Sequence, residues 1–347
     1  MIDDLLRKNI RTLKPYHSAR LEYTGKDAIF LDANENSIGS VLAEGFNRYP
    51  DPLHTELKSE ISRIKGVQVK NIFLGNGSDE AIDLIIRAFC EPREDELIIC
   101  PPTYGVYSVF AQINDVKKIE VPLTSQFALD LNGILNATKA KTKLIFLCTP
   151  NNPTANDLNF DDIERLLTEF QGVVIIDEAY IDFSSAKSWI KSLDTYKNLV
   201  VLQTFSKAWG LANLRLGMAF ADEKIITVFN NIKYPYNLSG VTQQLAIDAL
   251  KNSELKDKMT SEIIGQRSYL EDELRKLNLV EKVFPSAANF LLVRVTDARF
   301  IHEKLLEKKI IVRNRSNLIH CENCIRITVG MEKENKNLLN ELKMLDV

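Results

Sequence analysis

An α/β fold is expected from this sequence: a large domain on a mostly parallel sheet flanked by helices, and a smaller α+β domain after it. Two features of the pattern lead there. In the middle of the chain, strand-length runs of Val, Ile and Leu alternate with segments of helical periodicity, as strand–helix–strand units do. Beyond YNLSG (236–240), strands and helices become fewer and mixed.

GNGSDEAIDLIIRAF (75–89) is a glycine turn opening an apolar helix. ELIIC (96–100), KLIFLC (143–148), GVVIID (172–177) and LVVLQTF (199–205) present no polar face, so they read as strands buried on both sides. Between them, FDDIERLLTEF (160–170) sets apolar residues at helical spacing behind an Asp pair suited to a first helical turn. In the second domain, LKDKMTSEIIGQRSYLEDELRKLNL (255–279) is a long amphipathic helix and NFLLVRV (289–295) a strand. ARFIHEKLLEKK (298–309) reads as a helix, KIIVR (309–313) and CIRITVG (324–330) as short strands, and a last helix closes the chain. The expected division is an N-terminal arm contributing to the small domain (1–35), a large domain (36–240) and a small domain (241–347).

With 347 residues and 45% hydrophobic content, the chain can bury two sizeable cores. A net charge of −3 without a basic block argues against nucleic acid, and no apolar run approaches a membrane span. The charged N-terminus lacks a signal-peptide core. Cysteines at 90, 100, 148, 321 and 324 are an odd, scattered set, which fits reduced thiols and a cytoplasmic location. Cys321 and Cys324 form a CxxC beside His320, but no second ligand pair exists at metal-site spacing, so no metal is expected.

Ligands of open parallel sheets bind beyond the carboxyl ends of the strands. Asn151 and Asn152 follow KLIFLC, Asp177-Glu178-Ala179-Tyr180 end the next strand, and Ser206-Lys207 end the third. Singly these are a turn, a cap and a solvated lysine. Jointly they suit pyridoxal phosphate, which needs an amine for its aldehyde, an acid at its ring nitrogen and donors at its phenolic oxygen. The turn at 75–78, with Ser206 and Arg215, would hold the phosphate through amides, a hydroxyl and a guanidinium. A dinucleotide fingerprint fails, because GxGxxG meets Glu80 where the third glycine should stand.

On LDANEN (31–36), RYPDP (48–52), GNGSDEAIDLIIRAFCEP (75–92), CPPTYGVYSV (100–109), TPNNPT (149–154), IIDEAYIDF (175–183), TFSKAWGLANLRLG (204–217), SAANFLL (286–292) and IRITVG (325–330), the chain resembles the fold-type I pyridoxal-phosphate aminotransferases, closest to their histidinol-phosphate branch. The resemblance implies a seven-stranded sheet and transamination between L-histidinol phosphate and 2-oxoglutarate, giving imidazole-acetol phosphate and glutamate. It implies that Lys207 is the reacting amine and proton shuttle, Asp177 the partner of the ring nitrogen, and Asn152 and Tyr180 contacts of the ring oxygen. Tyr104 would stack on the ring. Ser78, Asp79, Ser206 and Arg215 would surround the phosphate, and Tyr49 would reach the cofactor of the other subunit in a homodimer. Tyr16, Asn34, Arg313 and Arg326 would bind substrate. Ala155, where the family commonly has glycine, and Ser37, where it commonly has proline, depart from the pattern. Other readings are a threonine-phosphate decarboxylase, an aromatic or broad-range aminotransferase, and a non-catalytic cofactor-binding sensor domain. The last is disfavoured because the resemblance, which reaches Tyr16 in KPYHSAR (14–20), would leave no room for a fused DNA-binding segment, and because Lys207, Asp177 and Arg215 occur together.

Overall fold

The computed structural model describes residues 2–16, 28–42 and 45–346. Its large sheet has seven strands: β1 (Ile72–Asn76), β2 (Glu96–Ile99), β3 (Lys117–Glu120), β4 (Thr142–Cys148), β5 (Val173–Asp177), β6 (Leu199–Thr204) and β7 (Leu216–Ala221), in the spatial order β1-β7-β6-β5-β4-β2-β3. The run from β3 to β6 is parallel throughout. Only β7 opposes the rest, pairing antiparallel with β6 on one side and β1 on the other.

The four runs read as doubly buried strands are β2, β4, β5 and β6, and no residue of β2, β5 or β6 reaches solvent appreciably. Their alternating side chains feed two cores. Ile98, Ile145, Leu147, Val174, Ile176 and Val201 pack with Leu57, Ile61 and Trp189 on one face. Leu97, Leu144, Phe146, Val173, Ile175 and Val200 pack on the other, against Ile82, Ile85 and Phe89 of the helix Gly77–Phe89. Each such side chain contributes about 1.5–3 kcal/mol on burial, so the sheet is rigid enough to hold polar groups at its edge away from water. The helix Phe160–Glu169 begins on Asn159, whose side chain accepts from the Asp162 N–H, with Asp161 and Asp162 in its first turn as expected.

The small domain is an antiparallel sheet, β10-β11-β9-β8, built of β8 (Val280–Val283), β9 (Phe290–Val295), β10 (Arg313–Asn314) and β11 (Cys324–Thr328). Its core joins Leu291, Val293, Ile325 and Ile327 to Leu270, Ile301, Leu305 and Leu339 of three helices. KIIVR, expected as a strand, is one only at Arg313. Lys309 takes a left-handed φ of 62° and the Ile310 N–H turns back to the Leu305 carbonyl at 2.9 Å, so those residues finish a helix instead. Helix Gly240–Leu250 follows the expected boundary, and its Ala246, Ile247 and Leu250 are buried in the large-sheet core with Leu57 and Ile61. At the other end of the chain, Ile2 and Leu6 are buried in the core containing the helix Gly77–Phe89. Among the described residues, no helix is long and apolar enough to cross a membrane.

Ala155 adopts a left-handed φ of 66°. That conformation costs a non-glycine residue about 1–2 kcal/mol. Its methyl is fully buried in a cluster with Tyr180, Phe183, Ala208, Ala288 and Phe290 behind the sheet edge. Losing the methyl costs roughly 0.8 kcal/mol, and glycine adds roughly 0.4–1 kcal/mol of unfolded-chain entropy. Ala155→Gly is therefore expected to change stability by less than about 1 kcal/mol in either direction, the difference of these opposed terms. Urea melts of the two proteins check this; a shift above about 1.5 kcal/mol would mean one term has been misjudged.

Candidate active site

Parallel pairing brings the carboxyl ends of β1, β2, β4, β5 and β6 to one edge of the sheet, and the reversed β7 begins at that same edge. This antiparallel return is what brings Lys207, just after β6, and Arg215, just before β7, to the same edge. A cavity of about 560 Å³ opens there. Ser78, Asp79, Tyr104, Asn152, Asp177, Tyr180, Ser206, Lys207, Arg215, Arg313 and Arg326 all line it. Tyr49, Tyr16 and Asn34 do not. Tyr16 is exposed, and residues 17–27 after it lie outside the described residues. Asn34 is exposed with a φ of 54°, and Tyr49 is half exposed, stacked on Tyr236 at 4.4 Å.

Asp177 is the last residue of β5 and is almost fully buried. Its Oδ2 accepts from the Tyr107 hydroxyl at 2.7 Å and its Oδ1 from the Ala179 N–H at 3.0 Å. Burial raises its carboxyl to about 6, against the downward pull of those two bonds. The neighbouring Glu178 points elsewhere. It accepts from Ser188 at 2.5 Å, from the Trp189 N–H at 2.6 Å and from Gln203 at 2.8 Å, and burial raises it to about 7. That carboxylate joins the end of β5, β6 and the loop between them, which the sequence pair Asp-Glu does not reveal.

Lys207 faces the open cavity with its Nζ 5.5 Å from the centre of the Tyr180 ring. Its ammonium is held below the ordinary lysine value, first by lost hydration and then by Arg326, with Asp177 acting in the opposite sense. Tyr180 is buried edge-on against Phe290, ring centres 5.1 Å apart, and burial raises its phenol. Asn152 accepts a bond of 2.5 Å from Arg326 Nη1. Asn151 instead ties loops together, donating to the Pro102 carbonyl at 2.8 Å and to Thr154 at 2.6 Å.

At the other end of the cavity, Gly77 starts the helix with a φ of 69°, and a Cβ there would come within 2.9 Å of Arg215 Nη2. Gly217 of β7 runs so close beneath Gly77 and Ser78 that no side-chain atom fits between. Arg215 pairs with Asp79 at 3.3 Å, and the Tyr104 hydroxyl donates to Asp79 at 3.3 Å. Glu80, which breaks the dinucleotide fingerprint, accepts from the Asn76 N–H at 2.6 Å and from Asn237 at 3.0 Å. Asn237 also donates to the Leu74 carbonyl at 3.0 Å and accepts from Lys233 at 3.0 Å, so a part-buried network clamps the turn from behind.

The small domain closes the cavity with guanidinium groups. Arg313 lies opposite Arg326 across the β10–β11 pairing, and Arg315 lines the same wall. Arg326 stacks over Phe290 at 5.2 Å. Tyr107 and Arg315 escaped the sequence reading. Tyr107 stands one helical turn after Tyr104, a spacing that could have flagged it; Arg315 stands two residues after Arg313, on the same side of an extended chain. Among the described residues, no cluster of His, Cys, Asp and Glu suits a metal ion. Cys321 and Cys324 are buried free thiols, Cys324 opening β11.

Residues 23–342 match the family model for class I and II aminotransferases. The chain is 53% identical to a histidinol-phosphate aminotransferase of Cytophaga hutchinsonii, over 99% of this chain and 98% of that one. It is 52% identical to the histidinol-phosphate aminotransferase of Bacteroides thetaiotaomicron, over the same shares. Among solved structures, that of the histidinol-phosphate aminotransferase from Clostridium acetobutylicum is similar in fold, with a TM-score of 0.80 at 24% identity over 86% of this chain and 90% of that one. The Sinorhizobium meliloti enzyme of that name, solved in complex with pyridoxal-5'-phosphate, gives 0.77 at 25% identity over 86% and 83%.

Proposed function

The chain belongs to the class I and II aminotransferases, in the histidinol-phosphate aminotransferase branch, and from that premise we propose that it transfers an amino group between L-histidinol phosphate and 2-oxoglutarate using pyridoxal 5'-phosphate. The observation that carries the reading is the convergence in one cavity of Lys207, a buried Asp177 and a wall of arginines.

The residues present fit the cofactor. The helix start at Gly77 leaves no room for a side chain beside Arg215, as a phosphate cradle requires, and supplies free N–H groups. Ser78, Ser206 and Arg215 would hold the phosphate. Asp79, itself anionic, would act by orienting Arg215 and Tyr104, to which it is bonded. Asp177 would stand at the ring nitrogen, Asn152 and Tyr180 at the phenolic oxygen, and Tyr104 against the ring face. When bound, the cofactor supplies an aldehyde that condenses with amines and a ring that withdraws electrons from the carbon bearing them.

Each residue then has a task set by its surroundings. Asp177, held by Tyr107 and Ala179, would gain from a protonated ring nitrogen a cationic partner that offsets the cost of burying its charge. Lys207 Nζ, with its affinity for a proton lowered, would take the proton from the substrate α-carbon and deliver it to the cofactor's former aldehyde carbon. Arg326 and Arg313 anchor the substrate's anionic end. Tyr16 and Asn34 would complete the substrate pocket.

The dimer belongs to the same proposal. The exposed segment before Tyr49 carries Ile29, Leu31, Ile38, Val41 and Leu42, an apolar surface suited to a second copy, whose cofactor Tyr49 would reach. Sedimentation of the purified protein at micromolar concentration tests it, and a species of 39.4 kDa would sink it. A cytoplasmic location is supported by the five free thiols.

The decisive test is the visible spectrum of the cofactor-loaded protein. L-histidinol phosphate should bleach the yellow band and 2-oxoglutarate should restore it. A band unmoved by histidinol phosphate would overturn the substrate assignment.

A further inference from the structure

We propose that Arg315 completes, with Arg313 and Arg326, a three-guanidinium site that selects a phosphate monoester over a single carboxylate as the distal group of the amino substrate; this rests on the aminotransferase reading above.

The site is built into the small sheet. Arg313 pairs directly across from Arg326, and the Arg315 N–H continues that ladder to the Cys324 carbonyl at 2.8 Å. Residues two apart on extended chain share a face, so Arg313 and Arg315 come to the same side as their neighbour on β11. The loop behind them is fixed. The Leu318 N–H bonds the Arg315 carbonyl at 3.0 Å, the Cys321 N–H bonds the Leu318 carbonyl at 3.0 Å, and Cys321 and Cys324 are fully buried beneath. The CxxC thus serves as the floor that sets Arg315 in place.

Among the described residues, no carboxylate balances the charge of this wall. Among the described residues, none of the three arginines forms an ion pair with a carboxylate, although most arginines elsewhere in the chain do. The Nε atoms of Arg315 and Arg326 are both buried without a hydrogen-bond partner. Like charges facing each other across a sheet destabilise it, and a buried unpaired donor costs more. Both penalties vanish when an anion enters. A carboxylate is satisfied by one bidentate guanidinium, whereas a phosphate monoester near neutral pH carries close to two charges on three oxygens. Three guanidinium groups are over-charged for the first and matched to the second.

The test is Arg315→Gln in the cofactor-loaded enzyme. KM for L-histidinol phosphate should rise about tenfold to a hundredfold, the range for losing a hydrogen bond to a charged group, with kcat and the KM for 2-oxoglutarate changing by less than about threefold. Calorimetric binding of inorganic phosphate to the same loaded enzyme should weaken by a similar factor, and Arg315→Lys should recover part of it. An equal rise in both KM values, or unchanged phosphate binding, overturns the proposal. If the unmodified enzyme ignores histidinol phosphate, the substrate assignment fails, and the inorganic phosphate titration still decides the role of Arg315.

Discussion

Lys207→Ala is expected to lower transamination by more than about 10⁴-fold, because on the proposed mechanism it removes at once the amine that would hold the cofactor and the base that would move the α-proton. The protein should still fold. Lys207 reaches into an open cavity and makes no ion pair among the described residues, so its loss creates neither a void nor an unpaired charge. Thermal melts of the cofactor-free proteins should coincide within the effect of a surface change, about 0.5 kcal/mol. Adding a small amine such as methylamine should restore part of the proton transfer, since Tyr180, Asn152 and Arg326 still shape the place where it would act. A variant that kept a tenth of the parent rate would exclude Lys207 as the base.

The second large effect is at Asp177. If Asp177 partners the ring nitrogen as proposed, Asp177→Asn should slow the reaction by at least about a thousandfold, some 4 kcal/mol of barrier, because an amide cannot balance a protonated ring nitrogen. The same change has a consequence for folding that activity does not report. Burial raises the Asp177 carboxyl from 3.8 to about 6 in the cofactor-free protein. A carboxyl with a raised native value contributes stability that is complete below pH 3.8 and is lost as pH climbs through about 6, because the unfolded chain ionises first. The parent should therefore lose about 2–3 kcal/mol between pH 4 and 7 from this group, and the Asn variant should not. Glu178 titrates in an overlapping window and is present in both proteins, so the difference between their urea melts isolates Asp177. Parallel stability profiles would mean that the carboxyl is better solvated than its burial indicates.

The sequence made the central half of the sheet readable because β2, β4, β5 and β6 are buried on both faces and so carry unbroken apolar runs. It hid β3, whose KKIE is an exposed edge strand with no apolar face to detect. It suggested a strand at KIIVR because local composition favours one, whereas the backbone there is used to end a helix. At the site, residues next to strand ends were readable because topology places strand ends together. Tyr107 was not, since its bond to Asp177 spans 70 residues and depends on how a helix lies over the sheet. Glu80 was legible only as the failure of a dinucleotide motif; its work on the Asn76 N–H appears once Asn237 is seen beside it.

The placement of β7 also bears on how the protein is made. β1 sits at the edge of the sheet with β7 as its one strand neighbour, and β7 follows it by more than a hundred residues. A nascent chain can form the helix Gly77–Phe89 early, but the glycine turn at its start, the proposed phosphate site, rests on Gly217 and faces Arg215, which leave the ribosome much later. Contacts so distant in sequence form late, after the loop between them has been closed. The cofactor therefore has no half-site to capture during synthesis, and ribosome-bound chains that end before β7 should not retain it. Uptake of the yellow cofactor becomes a signal that translation and assembly of the whole sheet are finished.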